Sequence, residues 1–203
     1  MRKTKAATDE TRQAIVAAAL QVFSQRGYTA TRLDDIGEAA GVTRGAVYWH
    51  FKSKAELYIT IISEAYAQLD TLLTTAWQDA PTFTEGMRRL ILAYFLHVQE
   101  NTTFRAALEM SLFKTEMTEE LAEGRRQKQA GVHESLAGLR QLILSGQEAS
   151  EFRRDLNPAW AALSCLSLLH GTVELWLVDP AAFSLGDAAP ELADLFLQSI
   201  IVR

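Results

Sequence analysis

The sequence predicts an all-α protein of about nine helices, and three observations support this fold class. Hydrophobic residues make up 48% of the 203 residues, which is ample for a packed core. Glycine and proline are sparse, with 11 and 4 residues, so long stretches carry no helix breaker. Apolar residues recur at helical spacing, whereas strand-like alternation bounded by turn residues is hard to find.

The first helix is predicted over residues 9–26, where Ile15, Val22 and Phe23 follow helical spacing. Thr8 is expected as its N-cap. Gly27 is expected as its end, because glycine readily adopts the left-handed conformation that terminates many helices.

Two short helices are predicted next. The first follows Thr31, whose hydroxyl forms a capping box with Asp34, and it ends at Gly41. The second covers residues 44–50 and is capped by Thr43.

The remaining helices are longer and are bounded by recognisable caps. Ser53 with Glu56 forms a capping box that opens a helix to about Gln78, and Thr82 with Glu85 opens the next. The later predicted helices cover about residues 104–113, 118–145, 158–178 and, after Pro190, 190–202.

Several function classes find no support in the sequence. The single cysteine, Cys165, argues against disulfides, and the polar N-terminus lacks a signal-peptide core, so a cytoplasmic protein is expected. The apolar stretch over residues 160–178 is broken by polar residues, and no membrane partner is expected. The four histidines lack metal-ligand spacing, so neither a metal nor a cofactor is predicted. Nucleophile-elbow and phosphate-loop patterns are absent, which argues against an enzyme.

Charge is divided unevenly along the chain. The net charge is −5, yet residues 1–58 carry nine Lys and Arg against six Asp and Glu. Residues 59–203 carry eleven against nineteen. A small basic segment on an acidic body is expected when only one end of a protein meets phosphates.

The two short helices, over about residues 32–51, have the size of a helix-turn-helix. Gly41 suits the sharp turn between them. Phe51 is expected in the core, whereas Tyr48, Trp49 and His50 cannot all face inward on one short helix. Seven polar groups are left facing out and suit phosphate oxygens: Thr43, Arg44, Tyr48, Trp49, His50, Lys52 and Lys54. Arg44 can also reach a guanine edge in the major groove.

The motifs of this segment closely resemble the TetR family of ligand-responsive repressors. The resemblance rests on Val42-Thr-Arg-Gly-Ala-Val-Tyr-Trp-His-Phe-Lys-Ser-Lys-Ala-Glu-Leu57, with Asp35-Ile36 and Ala39-Ala40-Gly41 before it. Glu10-Thr-Arg-Gln-Ala-Ile15 and Phe23-Ser-Gln-Arg-Gly27 also look like that family. Within that family, the motif Tyr48-Trp49-His50-Phe51 is most similar to the multidrug-efflux repressors of the AcrR type. Gly37 departs from the pattern, which usually has alanine there.

The resemblance implies a homodimer with a DNA-binding domain over residues 8–69 and a ligand-binding and dimerisation domain over residues 70–203. It implies binding to palindromic double-stranded operator DNA, release by a small-molecule effector, and dimerisation through the last two helices. Arg44 and Gly45 match base-reading positions of the family. The other implied DNA contacts are Thr31, Thr43, Tyr48, Trp49, His50 and Lys54, and Arg32 and Lys52 join this set.

A ligand pocket in the larger domain is expected to use aromatic and polar residues at helical spacing, although each of them also suits a core. The candidates are Tyr66, Phe95, Glu109, Met110, Phe113, His170 and Trp176. Glu109 and Glu174 stand in apolar stretches, where a carboxylate must be paired, hydrated or facing a cation. If one lines the pocket, cationic lipophilic effectors are favoured. Otherwise it lies on a helix surface or pairs with Arg88, Arg89 or Arg105.

Three functions remain open at this point. The first is an effector-responsive repressor that controls an efflux pump, and a variant of it is a repressor of a catabolic operon with a metabolite effector. The second is an architectural DNA-binding protein without a ligand, against which stands a body of about 145 residues. The third, an enzyme fused to a DNA-binding head, finds no motif in its favour.

Overall fold

The computed structural model describes residues 5–116 and 118–202 and confirms the all-α fold class. Within these residues no strand forms, and Phe152 and Ile201 make an isolated antiparallel bridge. A short 3-10 turn at Glu119–Leu121 precedes the seventh helix. The described helices are α1 (Lys5–Ala30), α2 (Leu33–Ala39), α3 (Arg44–His50), α4 (Lys54–Trp77), α5 (Phe83–Glu100), α6 (Thr102–Phe113), α7 (Ala122–Glu148), α8 (Pro158–Val178) and α9 (Leu185–Ile200).

The described chain divides into two compact units by its internal contacts. The first unit holds the described residues up to Ala67 together with Thr103–Arg125, and the second holds Gln68–Thr102 together with the residues from Arg126 onward. The first unit therefore includes most of α6 as well as α1 to α3. The domain boundary expected between residues 69 and 70 stays a prediction.

Helix α1 begins earlier and ends later than its caps predict. Its first described residue is Lys5, and Ala6 and Ala7 favour helix, so Thr8 lies inside the helix and is not its N-cap. Gly27 interrupts it with a φ of 78° and a ψ of 165°, a backbone conformation that residues with a side chain rarely adopt. The predicted break at Gly27 is therefore a kink followed by a last turn to Ala30.

The capping box predicted for Thr31 and Asp34 is wrong by one residue. The Thr31 hydroxyl donates to the Gly27 carbonyl (2.7 Å), across the turn that follows the kink. Arg32 is the N-cap instead, and its backbone N–H donates to the Asp35 carboxylate (2.9 Å). Helix α2 consequently begins at Leu33.

The caps of the following helices are mostly as predicted. The hydroxyls of Thr43 and Thr82 each accept a hydrogen bond from the backbone N–H three residues later, at 3.2 and 3.1 Å. At the start of α4, the Ser53 hydroxyl accepts from the Glu56 N–H (3.0 Å). The Glu56 carboxylate, however, accepts from the Lys52 N–H (2.7 Å), so the predicted box closes one residue further out.

The last helix begins before Pro190, whereas the sequence predicts that it begins after this proline. Helix α9 begins at Leu185, where the Ser184 hydroxyl accepts from the Asp187 N–H, and Pro190 lies inside it. Proline removes one backbone hydrogen bond from a helix interior. Burial of apolar residues on both sides of it, Leu185 and Ala193 at 0% exposure, carries the helix through.

An aromatic cluster forms the centre of the first unit. The ring of Tyr58 packs edge-on against those of Phe23 and Tyr28, with centroids 6.1 and 5.3 Å away. Ile36 of α2 and Val47 of α3 are both fully buried in the same unit. Their apolar burial holds the two short helices against α1.

In the second unit α5 packs mainly against α9 and α8, and Phe95 is fully buried. The start of α5 is held by Glu151, whose carboxylate accepts from the N–H groups of Phe83 (3.1 Å) and Thr84 (2.8 Å). Burial of Glu151 opposes its ionisation, but these hydrogen bonds outweigh burial and lower the pKa of its carboxyl.

Helix α8 is long and apolar enough to cross a membrane, with a mean hydropathy of 1.5 over its most apolar 18 residues. This differs from the expectation that its polar residues break the pattern. Length and composition alone are weak evidence for a span, since a core helix of a soluble protein meets the same criterion.

Candidate nucleic-acid interface

A tight turn sets the direction of α3 relative to α2. Gly41 has a φ of 65°, which favours glycine, and the Val42 N–H donates to the Gly37 carbonyl (2.9 Å). A Cβ at Gly37 would lie 3.3 Å from the Val42 carbonyl oxygen. The glycine that departs from the family pattern therefore stands where α2 and the turn approach each other closely.

Helix α3 has one buried face and one exposed face. Val47 is fully buried and Phe51, just after the helix, is 2% exposed, so the prediction of Phe51 as a core residue is confirmed. Tyr48 is 44% exposed and Trp49 is 71% exposed, as predicted for an outward face. His50 is half-buried and packs edge-on against the Trp49 ring. An exposed indole and phenol on a short helix suit contact with another molecule better than core packing.

The guanidinium of Arg44 lies at the start of this exposed face and is held by two neighbours. Its Nη1 donates to Oδ2 of Asp34 (3.3 Å), and its Nε lies 3.2 Å from Oδ1. Its Nη2 donates to the Tyr48 hydroxyl (3.4 Å), and its carbon lies 5.3 Å from the Tyr48 ring centroid. The hydrogen bond to Tyr48 and the charge of Asp34 raise the pKa of Arg44 further, so the group stays charged. Sequence reasoning missed Asp34 as a partner, because it considered only its place in a helix cap.

Two of the predicted DNA contacts are used inside the protein. Thr31 is 2% exposed and its hydroxyl is bonded to Gly27, so its side chain is not on the surface. The Lys54 ammonium donates to the carbonyls of Tyr28 (2.9 Å), Thr29 (3.4 Å) and Thr31 (3.1 Å). These bonds use its three N–H donors, so this conformation leaves none for a phosphate. Both side chains hold the end of α1 to its surroundings.

The other predicted DNA contacts are on or near the surface. Arg32, Thr43, Gly45 and Lys52 are exposed. A surface concavity of about 420 Å³ lies between α2, α3 and the start of α4. Its lining is strongly polar and includes Arg32, Asp34, Arg44, Tyr48, Lys52, Lys54 and Glu120. Cationic groups outnumber carboxylates in it, which suits a polyanion.

The candidate ligand residues lie partly in each unit and differ in exposure. Met110, Phe95 and Trp176 are buried, at 0%, 0% and 4% exposure, as core residues are. Tyr66 and Phe113 of the first unit are more open, and His170 of the second unit is exposed. The Tyr66 ring packs edge-on against Phe104, with centroids 5.8 Å apart. The effector pocket that these residues were expected to line stays a prediction.

Two of the arginines considered as partners for the glutamates of the apolar stretches pair with other carboxylates. Glu109 is half-buried, with Oε2 4.0 Å from Nζ of Lys114. Glu174 is exposed on α8. Arg88 instead pairs with Asp194, and Arg89 pairs with Glu85.

Two family models match most of the chain. Residues 15–61 match the model of bacterial regulatory proteins of the tetR family. Residues 84–201 match the C-terminal region of MAATS-type transcriptional repressors. The HTH-type transcriptional regulator AcrR of Shigella flexneri is 33% identical over 205 residues, which cover 99% of this chain and 94% of that protein.

Solved structures are similar over nearly the whole chain. NalD, the secondary repressor of the MexAB-OprM multidrug efflux pump in Pseudomonas aeruginosa, aligns with a TM-score of 0.85 and 28% identity, covering 97% of this chain and 98% of that one. SmeT, the repressor of the Stenotrophomonas maltophilia multidrug efflux pump SmeDEF, was solved with triclosan. That complex aligns with a TM-score of 0.78 and 27% identity, covering 95% and 92% of the two chains.

Proposed function

Because the chain belongs to the TetR family of bacterial regulatory proteins, we propose that it represses the genes of a multidrug efflux pump and leaves its operator when a small hydrophobic effector binds. The chain is a dimeric, DNA-binding transcriptional repressor and not an enzyme. The proposed target genes rest on the similarity to NalD and SmeT, both described as repressors of multidrug efflux pumps.

The assignment of the DNA contacts rests on the exposed face of α3. Arg44 is proposed to read a guanine edge, because a guanidinium can donate two hydrogen bonds to its O6 and N7 atoms. Gly45 next to it is exposed and has no side chain to keep the bases away. The proposed backbone contacts are Arg32, Thr43, Tyr48, Trp49, His50 and Lys52, which offer N–H and O–H donors to phosphate oxygens.

The proposed domain division keeps this interface within residues 8–69 and leaves effector binding and dimerisation to residues 70–203. Operator DNA lies in the bacterial cytoplasm, so the protein is proposed to act there.

Helices α8 and α9 are proposed to form the dimer interface. Within the described chain, α8 exposes large apolar side chains, Trp160 at 66%, Leu175 at 69% and Val178 at 71%. Leu195 of α9 is 64% exposed. Apolar side chains concentrated on two helices of one unit are typical of a surface that another chain covers.

The effector is proposed to be a small hydrophobic molecule. The solved complex of SmeT with triclosan supports this chemistry. Of the candidates, Tyr66, Glu109 and Phe113 of the first unit are proposed to line the pocket, and a cationic effector is favoured only if Glu109 turns away from Lys114. A thermal-shift screen tests it: an effector raises the unfolding midpoint and weakens operator binding. Operator binding unaltered by every hydrophobic cation and neutral aromatic screened would contradict the proposal.

The experiment for the DNA assignment starts from a random library of 30-bp duplexes. Wild-type protein is expected to enrich a palindromic sequence, and a shuffled duplex of the same composition serves as non-operator DNA. Arg44→Ala is expected to weaken binding to the enriched duplex by about tenfold or more for the dimer, since each guanine contact provides about 1–3 kcal/mol of discrimination.

Fluorescence anisotropy with both duplexes measures this change. Arg140→Ala is the matched control, because Arg140 is an exposed arginine of α7 in the second unit. Equal affinities of wild type and Arg44→Ala for the enriched duplex would overturn the base-reading role.

A further inference from the structure

We propose that Asp34 is a specificity-determining residue, which positions the Arg44 guanidinium for base reading and keeps it away from phosphates. The inference rests on the proposed role of Arg44. It concerns a carboxylate that stands among cations on the surface expected to face DNA. A negative charge near phosphates lowers the affinity for DNA. The presence of Asp34 on this surface therefore needs a reason, and its contact with Arg44 offers one.

The hydrogen-bond count leaves Arg44 able to read a base while it stays on Asp34. A guanidinium carries five N–H donors, two of them on each terminal nitrogen. Asp34 takes one from Nη1 and Tyr48 takes one from Nη2. One N–H therefore remains on each terminal nitrogen, and a bidentate contact with guanine needs two.

The contacts of Arg44 restrict an otherwise mobile side chain. Arg44 is 64% exposed at its side chain, and an exposed arginine without partners samples many rotamers. Asp34 comes from α2 and Tyr48 from α3, so the guanidinium is fixed from both helices of the helix-turn-helix. Binding to the correct base then loses less conformational entropy than it would with a free arginine.

On non-operator DNA the same contacts weaken binding, because they keep Arg44 from the phosphates. We expect the phosphates of non-operator DNA to lie outside the reach of the guanidinium held in this position, so Arg44 has to leave Asp34 and Tyr48 to bind one. With Asp34 removed, Arg44 is free to bind any phosphate nearby. Loss of Asp34 therefore tightens non-operator binding more than operator binding, and the ratio of the two affinities falls.

The test compares Asp34→Asn with Glu38→Gln. Asparagine keeps the size of the side chain and removes its charge. Glu38 is an exposed carboxylate of the same helix, so its substitution removes the same unit of charge without touching Arg44. Affinities for the enriched and the shuffled 30-bp duplexes are measured at several salt concentrations, and thermal midpoints confirm that both variants are folded.

We expect Asp34→Asn to lower the ratio of operator to non-operator affinity by roughly fivefold for the dimer, as an exposed ion pair is modest in strength. Its salt slope on the shuffled duplex becomes steeper by about one phosphate contact for each protomer. Glu38→Gln shifts both affinities together and leaves the ratio unchanged. In the background of Arg44→Ala, Asp34→Asn also leaves the ratio unchanged, because the residue through which it acts is gone.

Two outcomes separate the inference from the proposed function. If wild-type protein enriches no sequence from the library, the proposed function fails. If it enriches one and Asp34→Asn keeps the wild-type ratio, or changes it equally without Arg44, the positioning role of Asp34 is overturned.

Discussion

At the scale of single residues, Lys52 and Lys54 stand two positions apart and have different surroundings. Lys52 is exposed and belongs to the polar concavity beside α3. Lys54 lies with its ammonium on three carbonyls at the end of α1 and 4.3 Å from the Tyr28 ring centroid. A cation at the end of a helix stabilises the carbonyls that have lost their partners. The same charge is therefore proposed to bind DNA at Lys52, whereas at Lys54 it stabilises the fold.

Substitution of the two lysines is expected to separate these roles. Lys54→Ala lowers the free energy of unfolding by about 2 kcal/mol, because hydrogen bonds from a charged donor to the α1 carbonyls are lost. Lys52→Ala leaves that energy unchanged and reduces the salt slope of operator binding by about one for each protomer. Chemical denaturation and anisotropy at several salt concentrations measure the two effects. A stable Lys54→Ala with a reduced salt slope would instead place Lys54 on DNA.

The sequence predicted the exposed face of the site but not its partners. Arg44, Tyr48 and Trp49 could be placed outside because a short helix has only one face to bury. The burial of Thr31 and the ion pair of Asp34 could not be predicted. They depend on where the kink at Gly27 directs the chain and on how α2 crosses α3, and neither follows from local spacing.

At the scale of elements, α7 carries glycines in different surroundings. Gly124, Gly131 and Gly138 recur every seven residues, a spacing that suits either a seam for a neighbouring helix or a loosened segment. A Cβ at Gly124 would lie 3.2 Å from Ile59, whereas Gly131 and Gly138 have nothing within 4 Å in the described chain. Of these three glycines, only Gly124 therefore supports a seam within the described chain. Gly146 differs again, since a Cβ there would overlap the Phe152 ring.

Alanine substitution at Gly131 and at Gly146 of α7 is expected to change the free energy of unfolding in opposite directions. Gly131→Ala raises the free energy of unfolding by about 1 kcal/mol, because alanine favours helix and the site is open. Gly146→Ala lowers it by about 2 kcal/mol or more, since the buried Phe152 ring must move. Urea denaturation of both variants measures the difference. A destabilised Gly131→Ala would show that a second chain packs on that face.

Helix boundaries were predictable where the cap is local. A hydroxyl that bonds the N–H three residues later, as at Thr43, depends only on nearby residues. The boundary at Pro190 was wrong, because the burial of Leu185 and Ala193 extends the helix across a residue that is unfavourable by itself. Tertiary packing thus decides an end that local propensity alone cannot.

At the scale of the whole molecule, operator binding by a dimer depends on the second unit as well as on the DNA-binding residues. Palindromic half-sites in successive major grooves are about 34–36 Å apart, so two heads must be held together to bind both. The net negative charge of residues 59–203 opposes phosphate binding. The exposed apolar residues of α8 and α9 are the part of the second unit proposed to join the two heads.

Leu175→Glu is expected to dissociate the dimer, because leucine is 69% exposed there and a carboxylate in a dry interface has no partner. Analytical ultracentrifugation should show the dimer dissociation constant rise by more than about tenfold, a loss of at least about 1.4 kcal/mol. Affinity for the enriched palindrome falls with it, whereas affinity for a single half-site stays the same. Val132→Glu is the matched control, since Val132 is an exposed apolar residue of α7. A dimer unchanged by Leu175→Glu but lost with Val132→Glu would move the interface from α8 to α7.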